Sequence, residues 1–263
     1  MKNLLAKSIR KYFENTENIR EIRLRIEKPI IYYREKEYIT NHILTKEELH
    51  ETLELMSGFS LYAYENEIRN GFFTIEGGHR IGVVGTVVIE NKEVKTIKNF
   101  SSINIRMNRE VRGCSDSIIN EILKEEGALN TCIISPPNFG KTTLLRDVVR
   151  NLSKKFKIAV IDERGEIAAS HLGIAKNDIG IRTDVLTGCP KKIGMEMVLR
   201  SMSPEIIAVD EISFNEKEEI KQIKTAGVKI ICTMHGNSVN EAKKLELEKY
   251  ILLGKNFKVK EVI

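Results

Sequence analysis

Residues 131–147, TCIISPPNFGKTTLLRD, combine a short apolar run, a double proline and a Gly-Lys-Thr triplet that opens a helix-like segment. A phosphate-binding loop has this order of strand, turn and helix, because backbone N–H groups at a helix N-terminus bind phosphate oxygens. The first glycine of the usual motif is replaced by Ser135. The stretch therefore predicts a phosphate-binding loop in which Ser135, Pro136 and Pro137 make the tight turn that glycine otherwise makes.

The predicted contacts with a nucleoside triphosphate come from consecutive residues of this loop. Lys141 supplies a positive charge for the β- and γ-phosphates, and the Thr142 hydroxyl is a ligand for Mg²⁺. A surface loop that merely contains Gly-Lys-Thr remains the alternative on this stretch alone. The candidate nucleotide-binding residues are Ser135, Pro136, Pro137, Asn138, Phe139, Gly140, Lys141, Thr142 and Thr143.

Two further motifs follow in the order that a triphosphate site requires. The run EIIAVDEI at residues 205–212 is an apolar strand that ends in an acidic pair, the Walker B pattern. Asp210 is predicted to hold Mg²⁺ through water beside Thr142, and Glu211 to orient and deprotonate an attacking water. The run VKIICTMHGNS at residues 228–238 places Thr233 and His235 at a strand end, where they are expected to sense the γ-phosphate. Together the motifs predict a nucleoside triphosphate site.

The chain has two halves with different sequence patterns. Residues 1–112 mix the alternating strand IREIRLRI, a helix with a capping box at Thr45 and Glu48, and a Gly77-Gly78 hairpin signal. From about Gly113, apolar runs alternate with helical stretches, which indicates a parallel sheet covered on both faces. We expect a smaller α+β domain at 1–112 and an α/β domain at 113–263. Residues 170–194 show no clear periodicity and are expected to form a long loop.

The amino-acid composition excludes several classes of protein. The chain has 263 residues with 41% hydrophobic and 30% charged side chains, a net charge of +5 and four cysteines. No C-x-x-C pair occurs, which argues against a zinc ribbon. No run of 18 apolar residues and no signal-peptide pattern occurs, so we expect a cytoplasmic protein without a transmembrane segment. The basic excess is compatible with nucleic acid or an anionic membrane surface and establishes neither.

The motifs resemble those of a known group of motor proteins. SPPNFGKTTLLRD, VIDERGEI, MVLRSMSPEIIAVDEI and TMHGNS are similar in order and wording to the secretion ATPases of type II secretion and type IV pili. The match is closer to the stage III sporulation AA family of endospore-forming bacteria, through IREIRLRI, GFFTIEGGHRIGVVG, GIRTDVLTGCPK and TAGVKIICTMHG. That resemblance covers nearly the whole chain. It implies a RecA-like P-loop ATPase core behind the smaller α+β domain, with ATP and Mg²⁺ as ligands.

The resemblance also implies a cellular role and further site residues. It implies a hexameric ring in the mother cell, peripheral to the forespore-facing membrane, that energises a channel built from membrane proteins of the same operon. It suggests that Asp162 and Glu163, which end a neighbouring strand, share the role of base with Glu211, and that His235 takes part in catalysis. Secretion ATPases usually carry an arginine after the Walker B glutamate, whereas this chain has Ile212. The candidate arginines are therefore Arg80 and Arg106 from the amino-terminal half and Arg164, Arg182 and Arg200 from the other half.

Two other functions share the same core motifs. A nucleic-acid-dependent ATPase needs aromatic stacking platforms among basic residues, and the aromatic residues of 141–263 are scattered. We therefore expect no nucleic-acid partner. A small-molecule kinase excludes water, so a glutamate placed to activate water favours hydrolysis instead.

Overall fold

The computed structural model describes residues 1–15, 18–108, 110–125 and 127–263. The chain forms two compact units, Met1–Arg109 and Glu110–Ile263. The division lies close to the change of sequence pattern at about residue 113. No helix in the described ranges is long and apolar enough to cross a membrane.

The amino-terminal unit is built on a six-stranded antiparallel sheet in the order β3-β2-β1-β6-β5-β4. Its strands are β1 (Glu21–Arg25), β2 (Pro29–Tyr33), β3 (Glu37–Ile43), β4 (Phe72–Ile75), β5 (His79–Glu90) and β6 (Glu93–Arg106). Its α-helices are α1 (Lys46–Met56) and α2 (Glu65–Ile68), with 3-10 helices at Lys2–Leu4, Lys7–Phe13 and Leu61–Tyr64.

The local sequence explains the elements of this unit. Strand β1 alternates between buried and partly exposed residues, so that Ile22 and Leu24 face the core. Helix α1 begins at the predicted capping box, in which the Thr45 side chain accepts from the Glu48 N–H and Glu48 accepts from the Thr45 N–H. The predicted glycine hairpin joins β4 to β5, and Gly77 and Gly78 both adopt positive φ, at 87° and 72°. These predictions are confirmed.

The carboxyl-terminal unit contains a seven-stranded sheet in the order β11-β10-β12-β13-β9-β14-β15 and a separate two-stranded ribbon, β7-β8. Every neighbouring pair among strands β9 to β14 in this sheet is parallel, and β15 is antiparallel to β14. The strands are β7 (Leu123–Lys124), β8 (Gly127–Ala128), β9 (Thr131–Ser135), β10 (Ile158–Asp162), β11 (Thr183–Thr187), β12 (Ile206–Val209), β13 (Lys229–His235), β14 (Lys249–Leu253) and β15 (Val259–Val262). The α-helices are α3 (Ile119–Ile122), α4 (Lys141–Leu152), α5 (Lys191–Ser201), α6 (Lys217–Thr225) and α7 (Val239–Ala242), with 3-10 helices at Phe214–Glu216, Lys243–Leu245 and Lys255–Phe257.

This sheet is buried on both faces, as its continuous apolar runs predict. All residues of β9, β10 and β12 are buried. Alternate residues of β9 enter different cores: Cys132 and Ile134 pack with α5 and α6, whereas Ile133 packs with α4. Because the central strands are parallel, their carboxyl ends lie at the same end of the sheet, where polar loop residues can meet.

The expectation of a long loop over 170–194 is wrong in part. The segment contains β11, which adds to the edge of the sheet beside β10, and the first turn of α5. Strand β11 has the sequence TDVLT and is only partly buried. An edge strand of this kind lacks the continuous apolar run by which the inner strands are recognised.

Candidate nucleotide-phosphate site

The phosphate-loop sequence lies where β9 ends and α4 begins. Asn138 and Gly140 both have positive φ, at 63° and 89°, and Gly140 is the residue before the first turn of α4. These conformations turn the chain sharply between Pro137 and Lys141. The loop is thus a strand-to-helix connection of the kind that cradles phosphate.

The Lys141 side chain lies inside this loop and is buried. Its Nζ donates to the carbonyl oxygens of Ser135 and Pro136, at 3.1 Å each, and lies 3.0 Å from Nδ1 of His235. Burial lowers the pKa of the Lys141 ammonium, and the negative charges of Asp210 and Glu211 oppose that shift. The single positive charge in the loop is therefore held at its centre by acceptors that a phosphate can replace.

Thr142 and Asp210 come together as the sequence predicts. The Thr142 hydroxyl donates to Oδ2 of Asp210 over 2.5 Å, and the Thr233 hydroxyl donates to the other carboxylate oxygen. Hydroxyl and carboxylate oxygens are hard ligands that suit Mg²⁺. Within the described residues, no three side chains of the His, Cys, Asp and Glu types cluster as a metal site. The Thr142–Asp210 pair is therefore the candidate position for Mg²⁺.

Glu211 is fixed by three neighbours. Its backbone has φ 52°, and its N–H donates to Thr233 Oγ1 over 2.8 Å. Its carboxylate contacts Nε2 of His235 at 3.0 Å and Nη1 of Arg164 at 2.6 Å. An ammonium can only donate, so Nδ1 of His235 accepts from Lys141, and its Nε2–H donates to Glu211. Lys141, His235, Glu211 and Arg164 thus form a continuous chain of polar contacts.

The acidic box, which is the pair Asp162 and Glu163 at the end of β10, contains one buried and one accessible carboxylate. Asp162 is buried, and its two oxygens accept from the N–H groups of Glu166, Ile167 and Ala168 at 2.8–3.1 Å. Burial raises the pKa of the Asp162 carboxyl, and these N–H donors oppose that shift. Its geometry supports a role in ordering the following turn, and its predicted catalytic role stays a prediction.

Glu163 faces the same cleft as the Walker B pair. Its carboxylate forms an ion pair with Lys191 at 3.0 Å. The cleft is lined by both acidic pairs together with Arg164 and Lys191. Lys191 opens a helix nearly thirty residues further along the chain, so no local sequence pattern indicates its pairing with Glu163.

Arg182 lies away from the phosphate loop, and Arg80 and Arg106 belong to the amino-terminal unit. Arg182 donates to the carbonyl oxygens of Ser153 and Lys154 at 3.2 and 2.8 Å, at the carboxyl end of α4, whereas the loop is at the amino end. The structure therefore does not bring Arg182 to the loop of its own chain. Arg80 and Arg106 are direct cross-strand neighbours in the amino-terminal sheet, and their contact with nucleotide stays a prediction.

The position of Arg182 leads to a test of its role. We expect Arg182→Ala to lower the free energy of unfolding by about 1 kcal/mol, because the carbonyl oxygens of Ser153 and Lys154, just past the end of α4, lose a cationic donor. Nucleotide affinity should not change. Denaturant unfolding and nucleotide titration of the same variant measure the two quantities, with Lys155→Ala, at an exposed residue just past α4, as the matched control. Lost affinity at unchanged stability would favour the nucleotide contact instead.

The amino-acid sequence matches a family of known proteins. Residues 1–262 match the family model for Sporulation stage III, protein AA. The chain is 39% identical over 234 residues to stage III sporulation protein AA of Bacillus subtilis, an alignment that covers 86% of this chain and 76% of that protein.

Solved structures show which fold the chain has. The ATPase DotB of Legionella pneumophila superimposes with a TM-score of 0.60 at 18% identity, covering 89% of this chain and 72% of DotB. The pilus retraction motor PilT with bound ADP gives 0.58 at 14% identity, covering 97% and 80%. At these identities the likeness concerns the fold, and it confirms the predicted α/β fold, a RecA-like core with a smaller amino-terminal α+β domain. By its sequence along nearly its whole length, the chain belongs to the Sporulation stage III, protein AA family.

Proposed function

We propose that this protein is a Mg²⁺-dependent ATPase that powers a secretion-like sporulation channel at the membrane around the forespore. The observation that carries the proposal is the chain of contacts from Lys141 through His235 to Glu211, beside the Thr142–Asp210 pair. One end of a single sheet thus carries the lysine for the phosphate charge, the two candidate metal ligands and the candidate general base.

Each residue has a distinct role in hydrolysis. Lys141 neutralises the β- and γ-phosphates, which requires its Nζ to leave the carbonyls of its own loop. Thr142 and Asp210 would hold Mg²⁺, which would supply further neutralisation of phosphate charge. Glu211 accepts the proton of the attacking water, and His235 holds the carboxylate that does so.

His235 also connects binding to the base. Its Nδ1 accepts from Lys141 and its Nε2 contacts Glu211. The same ring therefore contacts both the phosphate-binding lysine and the proposed general base. When Lys141 turns to a phosphate, His235 loses that donor, and its hold on Glu211 changes. Glu163 remains the alternative base, because it lies in the same cleft.

The wider role rests on the family and on related motors. The Bacillus subtilis relative is a stage III sporulation protein, and PilT is by name a retraction motor. We infer a hexameric ring in the mother cell, peripheral to the forespore-facing membrane, that acts on membrane proteins of the same operon. Nucleic acid is not expected as a partner.

One assay on the full-length protein tests the proposal. Phosphate release is measured with ATP and Mg²⁺ alone, with single-stranded DNA, and with the cytoplasmic part of a co-encoded membrane protein. We expect Mg²⁺-dependent turnover that the membrane protein stimulates and DNA does not. Stimulation by DNA alone would favour a nucleic-acid-dependent ATPase, and the absence of both binding and turnover would remove the ATPase assignment.

A further inference from the structure

The turn between β14 and β15 has an unusual backbone. It is closed by a hydrogen bond from the N–H of Gly254 to the carbonyl of Lys258, at 2.7 Å. Within it, Asn256 and Phe257 both adopt left-handed conformations, with φ of 56° and 58°. A bulky residue rarely adopts positive φ, and strain of this kind is concentrated at functional sites. The turn therefore places Phe257 at a cost to the backbone.

The Phe257 ring lies against the phosphate loop. A Cβ atom built on Gly140 would lie 2.6 Å from Cε1 of Phe257 and 3.2 Å from Cζ. The aromatic ring thus occupies the space that the missing side chain of Gly140 leaves beside Lys141. Phe257 is only half-buried, so part of its ring faces outward next to the loop.

The order of strands shows which end of a nucleotide would reach this ring. Strand β9, which leads into the loop, lies between β13 and β14. The residues assigned to γ-phosphate chemistry stand on the β13 side: His235 ends β13, Asp210 and Glu211 follow β12, and Glu163 follows β10. A triphosphate held by the loop with its γ-phosphate toward these groups extends its nucleoside toward β14. The turn that carries Phe257 stands on that side.

We propose that the Phe257 ring is the platform on which the base of the bound nucleotide packs. The proposal rests on the proposed ATPase function and adds to it the residue that recognises the nucleoside. Stacking of a base on an aromatic side chain corresponds to about a 10-fold change in affinity. Phe257 is thereby a specificity residue for the nucleoside and not for the phosphates.

The test compares two ligands that share the phosphates and differ in the base. Binding of ATP and of inorganic tripolyphosphate is measured for full-length wild-type protein, Phe257→Leu and Phe257→Tyr. We expect Phe257→Leu to weaken ATP about 10-fold, to leave tripolyphosphate within about 2-fold, and Phe257→Tyr to bind both like the wild type. Phe156→Leu is the matched control, because Phe156 is also half-buried against the same core but follows the opposite end of α4.

Each other result overturns the proposal in a recognisable way. Equal weakening of both ligands in Phe257→Leu would mean that the ring only shapes the loop, and unchanged ATP affinity would mean that it does not meet the base. If wild-type protein binds neither ligand, the proposed ATPase function fails, whatever the variants do.

A second variant keeps the test valid if Phe257→Leu does not fold. The chain contains no tryptophan, so Phe257→Trp introduces a single fluorescent reporter. We expect ATP to quench its emission and tripolyphosphate to leave it unchanged, whereas equal responses to both ligands would contradict stacking.

Discussion

Glu211→Gln is expected to bind ATP with Mg²⁺ and to hydrolyse it about 10²–10⁴-fold more slowly than the wild type. The amide has nearly the shape of the carboxylate and retains an acceptor oxygen for His235, but it cannot accept the proton of the attacking water. Asp210, Thr142 and Lys141 are unchanged, so the phosphates and the metal keep their ligands. Single-turnover phosphate release, measured with saturating ATP, separates this chemical step from binding.

Glu163→Gln is the matched control for this variant. Both glutamates line the same cleft and each is paired with a basic residue, Glu211 with Arg164 and Glu163 with Lys191. If Glu163→Gln loses hydrolysis while Glu211→Gln keeps it, the base lies in the acidic box and the roles proposed here are exchanged. If neither substitution slows turnover, the cleft is not the site of the chemistry.

The inner part of the fold could be predicted from the sequence because burial leaves a strong local pattern. The four apolar runs TCIIS, KIAVID, EIIAVD and VKIICTMH correspond to β9, β10, β12 and β13, and each of these strands is almost wholly buried. Strands β11 and β14 escaped prediction for different reasons. Strand β11 is a half-exposed edge strand, and β14 is a short run, KYILL, that follows several short turns near the end of the chain.

The sequence predicted those contacts in the site that join motifs at the ends of parallel strands. It did not predict contacts between side chains from segments far apart in the chain. The Thr142–Asp210 contact follows from the two motifs, because parallel strands end at the same edge. The link from Lys141 to Glu211 through His235 joins three separate segments, and no local pattern indicates it. Arg182 shows the opposite case: a basic residue in a polar segment suggested an anion contact, whereas its partners are the carbonyl oxygens of Ser153 and Lys154, just past the end of α4.

Lys141→Ala is expected to weaken binding of ATP with Mg²⁺ by more than about 100-fold, because the loop loses its only charge directed at the phosphates. The remaining backbone N–H donors lack the charge that offsets a polyphosphate. In the structure, the ammonium is already desolvated and held by the carbonyl oxygens of Ser135 and Pro136. Its transfer to a phosphate therefore exchanges neutral acceptors for charged ones, without the full cost of stripping it from water.

The measurement is nucleotide titration of full-length protein, with two further variants as controls. Lys141→Met keeps the aliphatic length that packs in the loop and should bind as weakly as Lys141→Ala, so that a defect in packing is separated from a defect in charge. Lys155→Ala removes an exposed lysine beyond the far end of α4 and should bind like the wild type. Because burying an ammonium is itself unfavourable, both Lys141 variants should be at least as resistant to denaturant as the wild type. Wild-type affinity in Lys141→Met would show that the loop does not use this charge, and the stretch would then be a surface turn that only resembles a phosphate site.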